Sequence, residues 1–285
     1  MQSFKLKFKE ILLISALIFA FSSCKKSDDN QTTDTSNKTA PYESGVFIAN
    51  QGGYGKGNGS ISYYDRSGKV VSDVFQLVNN RPLGDIVQSM SIYNGKAYIV
   101  VNNSGKVEVA DAGTFSSTGV IKNLTSPRYF VGISSSKGYI SDWGSGTTGG
   151  NIKVVDLTSN TITKTIAAGK YPDKMILSGT KLFVINSAGL DKDSTITIID
   201  TQTDTPMKTL VIGGDPTGIV TDANGKIWVL CSGIEDYATE SNSTPGKIVR
   251  INPNDYSIEY TYTFPDNTKH PNELCANSAK KRLFY

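Results

Sequence analysis

Histidine is nearly missing from this chain: 285 residues include one, alongside four methionines, three cysteines and two tryptophans. A single imidazole starves any metal or acid–base site built on several histidines, so multi-histidine metalloenzymes are poor candidates. Three cysteines are too few for a disulfide scaffold. The apolar run Ile11–Phe21 has eleven residues, short of the roughly 20 that cross a bilayer. Excess charge is lacking too. Lysine and arginine total 29 against 26 acidic residues, a net of +3, and Lys5, Lys7, Lys9 and Glu10 account for two of those charges. A nucleic-acid partner is therefore not expected. No Gly-x-Ser-x-Gly, Walker or His-Glu-x-x-His pattern occurs, so the familiar nucleophile, phosphate and zinc sites have no sequence basis.

What is present begins with a leader. Three lysines precede the apolar run, and residues 1–23 read as a signal peptide. Phe21-Ser22-Ser23-Cys24 resembles a bacterial lipobox, which implies cleavage before Cys24 and lipidation of its thiol; an ordinary signal peptide with a chance cysteine is the other reading. Lys25-Lys26-Ser27-Asp28-Asp29 is similar to the signal that sends Bacteroidota lipoproteins to the outer face of the outer membrane. The expected location is thus the cell exterior, with a lipid anchor as the sole membrane contact. Residues 24–42 are almost entirely polar and are expected to form a disordered tether. By the scaling of flexible linkers it would hold the folded part about 20 to 25 Å from the lipid.

Beyond the tether the chain repeats. The segments Tyr63-Tyr64-Asp65, Val109-Ala110-Asp111, Val154-Val155-Asp156, Ile198-Ile199-Asp200 and Arg250-Ile251-Asn252 end at intervals of 46, 45, 44 and 52 residues. A second register agrees: Pro127, Pro172, Pro216 and Pro271 each precede an apolar segment, with Tyr139, Phe183, Trp228 or Phe284 following 11 to 13 residues later. One unit, Tyr171–Gly213, reads as four short strands: Lys174–Leu177, Lys181–Asn186, Ile196–Asp200 and Met207–Ile212. Four antiparallel strands recurring at this period predict an all-β fold, a β-propeller of four-stranded blades, over residues 43–285. Val46–Ala49 aligns with the second strand of a blade and Leu283–Tyr285 falls inside another. The expectation is about five and a third blades of a propeller with seven, truncated at the C-terminus by roughly 90 residues. Two raw strand edges would make such a fragment prone to aggregate.

In a four-stranded meander the loops between second and third strands share one face with the links between blades. The second-to-third loops are the long ones, at 51–59, 141–151, 187–195 and 232–246, and insertions confined to one face mark it as the binding face. Together with the links and strand ends they supply the candidate ligand-binding residues Tyr54, Arg81, Arg128, Tyr129, Asp142, Trp143, Tyr171, Asn186, Tyr237 and His270. Aromatic faces with polar tips, beside Arg and Asn donors, suit a large ligand that is part apolar and part amide-rich. Any one loop aromatic could equally cover a blade edge, and Asn or Asp at strand ends could cap backbone groups.

Other features are read as structural. The glycines of 52–55 and 144–150 sit between strands, where turn chemistry accounts for them better than phosphate binding. Asp65, Asp111, Asp156 and Asp200 recur at strand ends on the opposite face, where side-chain turn bonds explain them better than calcium. Cys231 and Cys275 lie in neighbouring blades; two buried thiols are expected, with a disulfide as the alternative. No metal site and no catalytic residue are assigned. His270 could serve as a ligand or an acid, but a lone histidine in a blade link is more often structural.

Asn50-Gln51-Gly52, the stretch from Gly59 to Asp65, Pro82-Leu83-Gly84-Asp85, Gln88-Ser89-Met90 and the stretch from Tyr93 to Val100 resemble the YncE-like propeller lipoproteins of Bacteroidota. Within them the chain is most similar to the BtuG-type surface proteins. That resemblance implies a seven-bladed propeller that binds cobalamin, or another corrinoid, as a ligand rather than a cofactor. It also implies delivery to a TonB-dependent outer-membrane transporter, without catalysis. Tyr and Trp would cover the corrin ring, Asn and Asp would pair with its amides, and Arg81 or Arg128 would meet the phosphate. Two other classes stay open: a surface protein that binds a glycan, peptide or partner protein, and a propeller lactonase or lyase using Asp142, Asp173, Asp215 and Asn186.

Overall fold

In the computed structural model, residues 41–42, 44–145, 149–187, 193–236, 238–239 and 242–285 are described. The expected signal peptide, Cys24 and the expected tether up to residue 40 lie outside them, as does Tyr237. The described chain belongs to one compact unit, Thr39–Tyr285.

Its strands fall into blades as the repeat predicts. The first sheet is β1 (Gly45–Asn50), β2 (Ser60–Asp65) and β3 (Val70–Val71), followed by a short helix, α1 (Val74–Asn79). The second is β4 (Val87–Tyr93), β5 (Lys96–Val101), β6 (Lys106–Asp111) and β7 (Ser117–Ile121). The third is β8 (Pro127–Gly132), β9 (Lys137–Asp142), β10 (Asn151–Asp156) and β11 (Thr161–Ala167). The fourth is β12 (Pro172–Ser178), β13 (Lys181–Asn186), β14 (Thr195–Asp200) and β15 (Thr205–Val211). The fifth is β16 (Pro216–Thr221), β17 (Ile227–Cys231), β18 (Lys247–Ile251) and β19 (Ile258–Thr263), and β20 (Cys275–Ala276) with β21 (Leu283–Phe284) begins a sixth. Every pairing is antiparallel between successive strands, and the innermost strands β4, β8, β12, β16 and β20 neighbour one another in turn. The fold is a β-propeller.

The core lies between blades. Along β13, Leu182 and Val184 pack towards the third blade with Tyr139 and Val154, while Phe183 and Ile185 pack towards the fifth with Val229 and Val249. Side chains alternate across a strand, so a strand sandwiched between two blades must be apolar on both faces. That is why the second strands read as unbroken hydrophobic runs, whereas outer strands such as β19 are exposed throughout.

Two features differ from the sequence reading. Tyr42, placed in the tether by its polar neighbours, packs edge-on against Tyr63 at 5.1 Å and joins the first core cluster. The helix α1 was not expected, because six residues are too few to display a helical period. Asp73 caps it, accepting from Gln76 N–H at 3.3 Å, and Val74 and Phe75 are buried between the first two blades.

The strand-end aspartates make turns, as expected. Asp65 Oδ1 accepts from the Ser67 and Lys69 amides at 2.8 and 2.9 Å, and Asp111, Asp156 and Asp200 hold the amides of Thr114, Thr158 and Gln202 in the same way. Lysines on that face clasp the next blade: Lys137 donates to Thr201 O at 2.8 Å and to Asp204 at 2.7 Å, and Lys181 donates to Pro253 O at 3.0 Å. Cys231 is buried and Cys275 exposed, both as free thiols, so the expectation of two buried thiols holds for one.

A cleft built from strand bulges

Each complete blade's inner strand departs from regular pairing directly after its first residue. The register shifts between Val87 and Ser89, Pro127 and Phe130, Pro172 and Met175, and Pro216 and Gly218. A bulge releases a residue from the ladder and re-aims its side chain. The residues released, Gln88, Arg128, Tyr129, Asp173, Lys174 and Thr217, all line one cleft of about 290 Å³. Asn272 and Glu273, which follow Pro271 as Thr217 follows Pro216, join them from the sixth unit, and Trp143, Ser187 and Asp215 complete the wall.

Polar contacts run from blade to blade around this cleft. Gln88 of the second blade accepts a hydrogen bond from Arg128 of the third, whose Nε donates to Asp173 of the fourth at 3.0 Å. Lys174 of the fourth donates to Thr217 O of the fifth at 2.9 Å and to Glu273 of the sixth at 2.5 Å. The Arg128 guanidinium lies 3.9 Å from the centre of the Trp143 ring, which meets Tyr171 edge-on at 5.1 Å. Two cations and three carboxylates thus share a small space. Burial pushes the Asp173 carboxyl above its usual range, and the Arg128 charge offsets only part of that. Burial, with the Asp173 charge beside it, pushes the Tyr129 hydroxyl up to about 12, so it remains a neutral donor. The Trp143 indole N–H is buried without a hydrogen-bond partner among the described residues. The arrangement can bind an acceptor-bearing group by hydrogen bonds and a planar or apolar one by ring contact.

The structure gathers Arg128, Tyr129, Trp143 and Tyr171 at this place and puts the other candidates elsewhere. Asp142 is fully buried and accepts from the amides of Thr125, Ser126 and Gly144 at 2.8–2.9 Å, so its lone pairs are committed to the backbone. Asn186, also fully buried, donates to the hydroxyls of Thr195 and Thr197 at 2.8 and 3.0 Å. Asp142 and the Asn186 amide nitrogen hold strand ends, Asn186 Oδ1 is buried without a hydrogen-bond partner among the described residues, and neither residue joins Asp173 and Asp215 in the cleft. Arg81 is bound to buried Glu108 and to Ser117, with its guanidinium 4.8 Å from the Phe75 ring. Burial opposes ionisation of Glu108, but its bonds with Arg81, Ser117 and Lys106 outweigh that and hold its carboxyl below the usual range. Tyr54 stands 79% exposed on its loop, away from the cleft. His270 shares a separate, largely apolar cavity of about 570 Å³ with Phe264 and Tyr285, and its Nδ1 lies 2.9 Å from Ser232 O. Among the described residues no three His, Cys, Asp or Glu side chains gather closely enough to hold a metal ion.

Fold and cleft together define a β-propeller with a polar pocket at the mouth of its inner strands. The chain belongs to the family described as Domain of unknown function (DUF5074), whose model matches residues 44–284. No curated protein matches it. Solved structures share the fold at low identity. Hydrazine synthase of Kuenenia stuttgartiensis is 17% identical with a TM-score of 0.69, over 86% of this chain and 71% of that one. A quinoprotein alcohol dehydrogenase-like protein of Bacteroides thetaiotaomicron is 16% identical with a TM-score of 0.57, over 84% of this chain and 56% of that one. The WD40 propeller domain of Doa1 is 15% identical with a TM-score of 0.56, over 77% of this chain and 66% of that one. At such identities the likeness concerns fold alone.

Proposed function

We propose that this protein captures a small molecule on the loop face of its propeller and does no chemistry on it. The observation that carries the reading is the repeated bulge: four inner strands break register at one position, and the side chains so released share one cleft. Bulges kept in step across blades serve to present side chains, because the ladders lose pairing by them. At about 290 Å³ the cleft is at the small end of ligand pockets, so it seats one polar arm of a ligand whose body rests on Trp143 and the loops. A corrinoid has that form, with an apolar macrocycle fringed by amides and a phosphate-bearing tail, and the resemblance to BtuG-type proteins favours it. In this reading Cys24 carries the lipid that anchors the protein outside the outer membrane, and the captured corrinoid passes to a TonB-dependent transporter.

The test is calorimetric titration with cyanocobalamin, and with cobinamide, which lacks the nucleotide tail. One-to-one binding, weakened about tenfold or more by Trp143→Ala combined with Tyr171→Ala, is expected. Heats indistinguishable from dilution at high micromolar corrinoid would remove that ligand. Binding that is unchanged in the double variant would place the site away from the cleft.

A further inference from the structure

Away from the cleft, the outer strands of the second and third blades flank a groove of about 590 Å³, between β7 on one side and β10 and β11 on the other. Lys122, just beyond β7, and Lys153, on β10, both line it. Among the described residues neither ammonium pairs with a carboxylate; Lys153 donates to the Thr165 hydroxyl at 3.2 Å. Two uncompensated cations facing one groove favour an anionic occupant.

A second observation concerns Asn160, at the turn between β10 and β11. Its Oδ1 is buried and has no hydrogen-bond partner among the described residues. The amide sits over Gly119 of β7, where a Cβ would stand 2.3 Å from Asn160 Nδ2. Gly119 is not among the residues of positive φ, so what it supplies is room. The facing blade is thus cut back to admit an amide whose oxygen is left unsatisfied, and a buried acceptor is costly unless a donor reaches it. The hydroxyls of Ser159, Thr161 and Thr165 border the same groove.

We propose that this groove binds an acidic saccharide, whose anionic group lies between Lys122 and Lys153 and whose hydroxyl donates to Asn160 Oδ1. The charge satisfies the lysines and the hydroxyl satisfies the buried oxygen; a bare anion supplies only the first. The site is independent of the bulge cleft and stands or falls separately from capture there.

Saturation-transfer NMR on the whole chain tests it, with glucuronate as probe and glucose and sulfate as companions. Saturable glucuronate binding is expected, with both companions about tenfold weaker or worse. Lys122→Gln with Lys153→Gln should weaken glucuronate binding by a similar factor. Asn160 has φ 55°, which glycine adopts without strain, so Asn160→Gly should keep the melting temperature while weakening binding severalfold. No saturation at millimolar glucuronate overturns the proposal. So does sulfate binding as tightly as glucuronate, glucuronate binding unchanged in these variants, or an oligo-aspartate peptide binding in preference to the sugar.

Discussion

The Arg128 guanidinium lies 3.9 Å from the centre of the Trp143 ring while its Nε donates to Asp173 at 3.0 Å. One side chain thereby covers an aromatic face and compensates a carboxylate of the next blade. Both partners of the ion pair are largely buried, at 18% and 9% side-chain exposure.

Arg128→Ala is expected to destabilise the protein by about 3–5 kcal/mol, because it leaves the Asp173 carboxylate buried without its partner. Adding Asp173→Asn should recover part of that loss, since the neutral amide carries no charge to compensate. Urea denaturation measures both variants, and a change of under about 0.5 kcal/mol for Arg128→Ala would show the pair to be idle.

Acid should loosen the contact between the second blade and Arg81, just beyond α1, through Glu108. Its carboxyl lies below its ordinary value in the folded protein. The stability it supplies is therefore full above that value and is lost as pH falls through the folded pKa. Asp173, whose carboxyl is raised, acts in the opposite sense, since protonation relieves its buried charge. Glu108→Gln should lower stability at neutral pH and flatten the acid limb of a melting-temperature profile; an acid limb as steep as that of the unaltered protein would exclude this role.

Gly132 adjoins the second blade so closely that a Cβ would stand 2.1 Å from the Tyr93 ring. Gly132→Ala should cost about 1–3 kcal/mol by overpacking. Gly132→Ala with Tyr93→Leu should be more stable than the sum of the two single changes, which a double-mutant cycle in denaturant would detect.

The two propeller thiols should differ sharply in reactivity. Burial pushes the Cys231 thiol up to about 12, whereas Cys275 is exposed. Only the thiolate reacts, so in a Cys24→Ser variant a maleimide should label Cys275 within minutes and Cys231 only after denaturant is added. Equal labelling of both in the folded protein would contradict the packing of the fourth blade on the fifth.

Local pattern was enough to reveal much of this fold. The apolar runs of the second strands, the turn aspartates and the proline register all act within a few residues, so the 45-residue period and the strand order are legible without coordinates. Even part of the cleft follows, because Arg128 and Asp173 each come directly after a proline of that register. The same rule, carried along the chain, points to Thr217 and Asn272, which reading the loops alone overlooked.

What the amino-acid sequence by itself determined is therefore the all-β repeat, the placement of its strands and the face that carries long loops. Only the tertiary structure decided which polar side chains meet a cavity and which are consumed by the backbone or by one another. Asp142 and Asn186 look as available in sequence as Arg128 does, yet burial obliges each to satisfy neighbouring amides or hydroxyls. Arg81 is drawn off to Glu108 because a carboxylate without solvent needs a cation. The cleft draws on residues from Gln88 to Glu273, and what brings them together is the packing of one blade on the next.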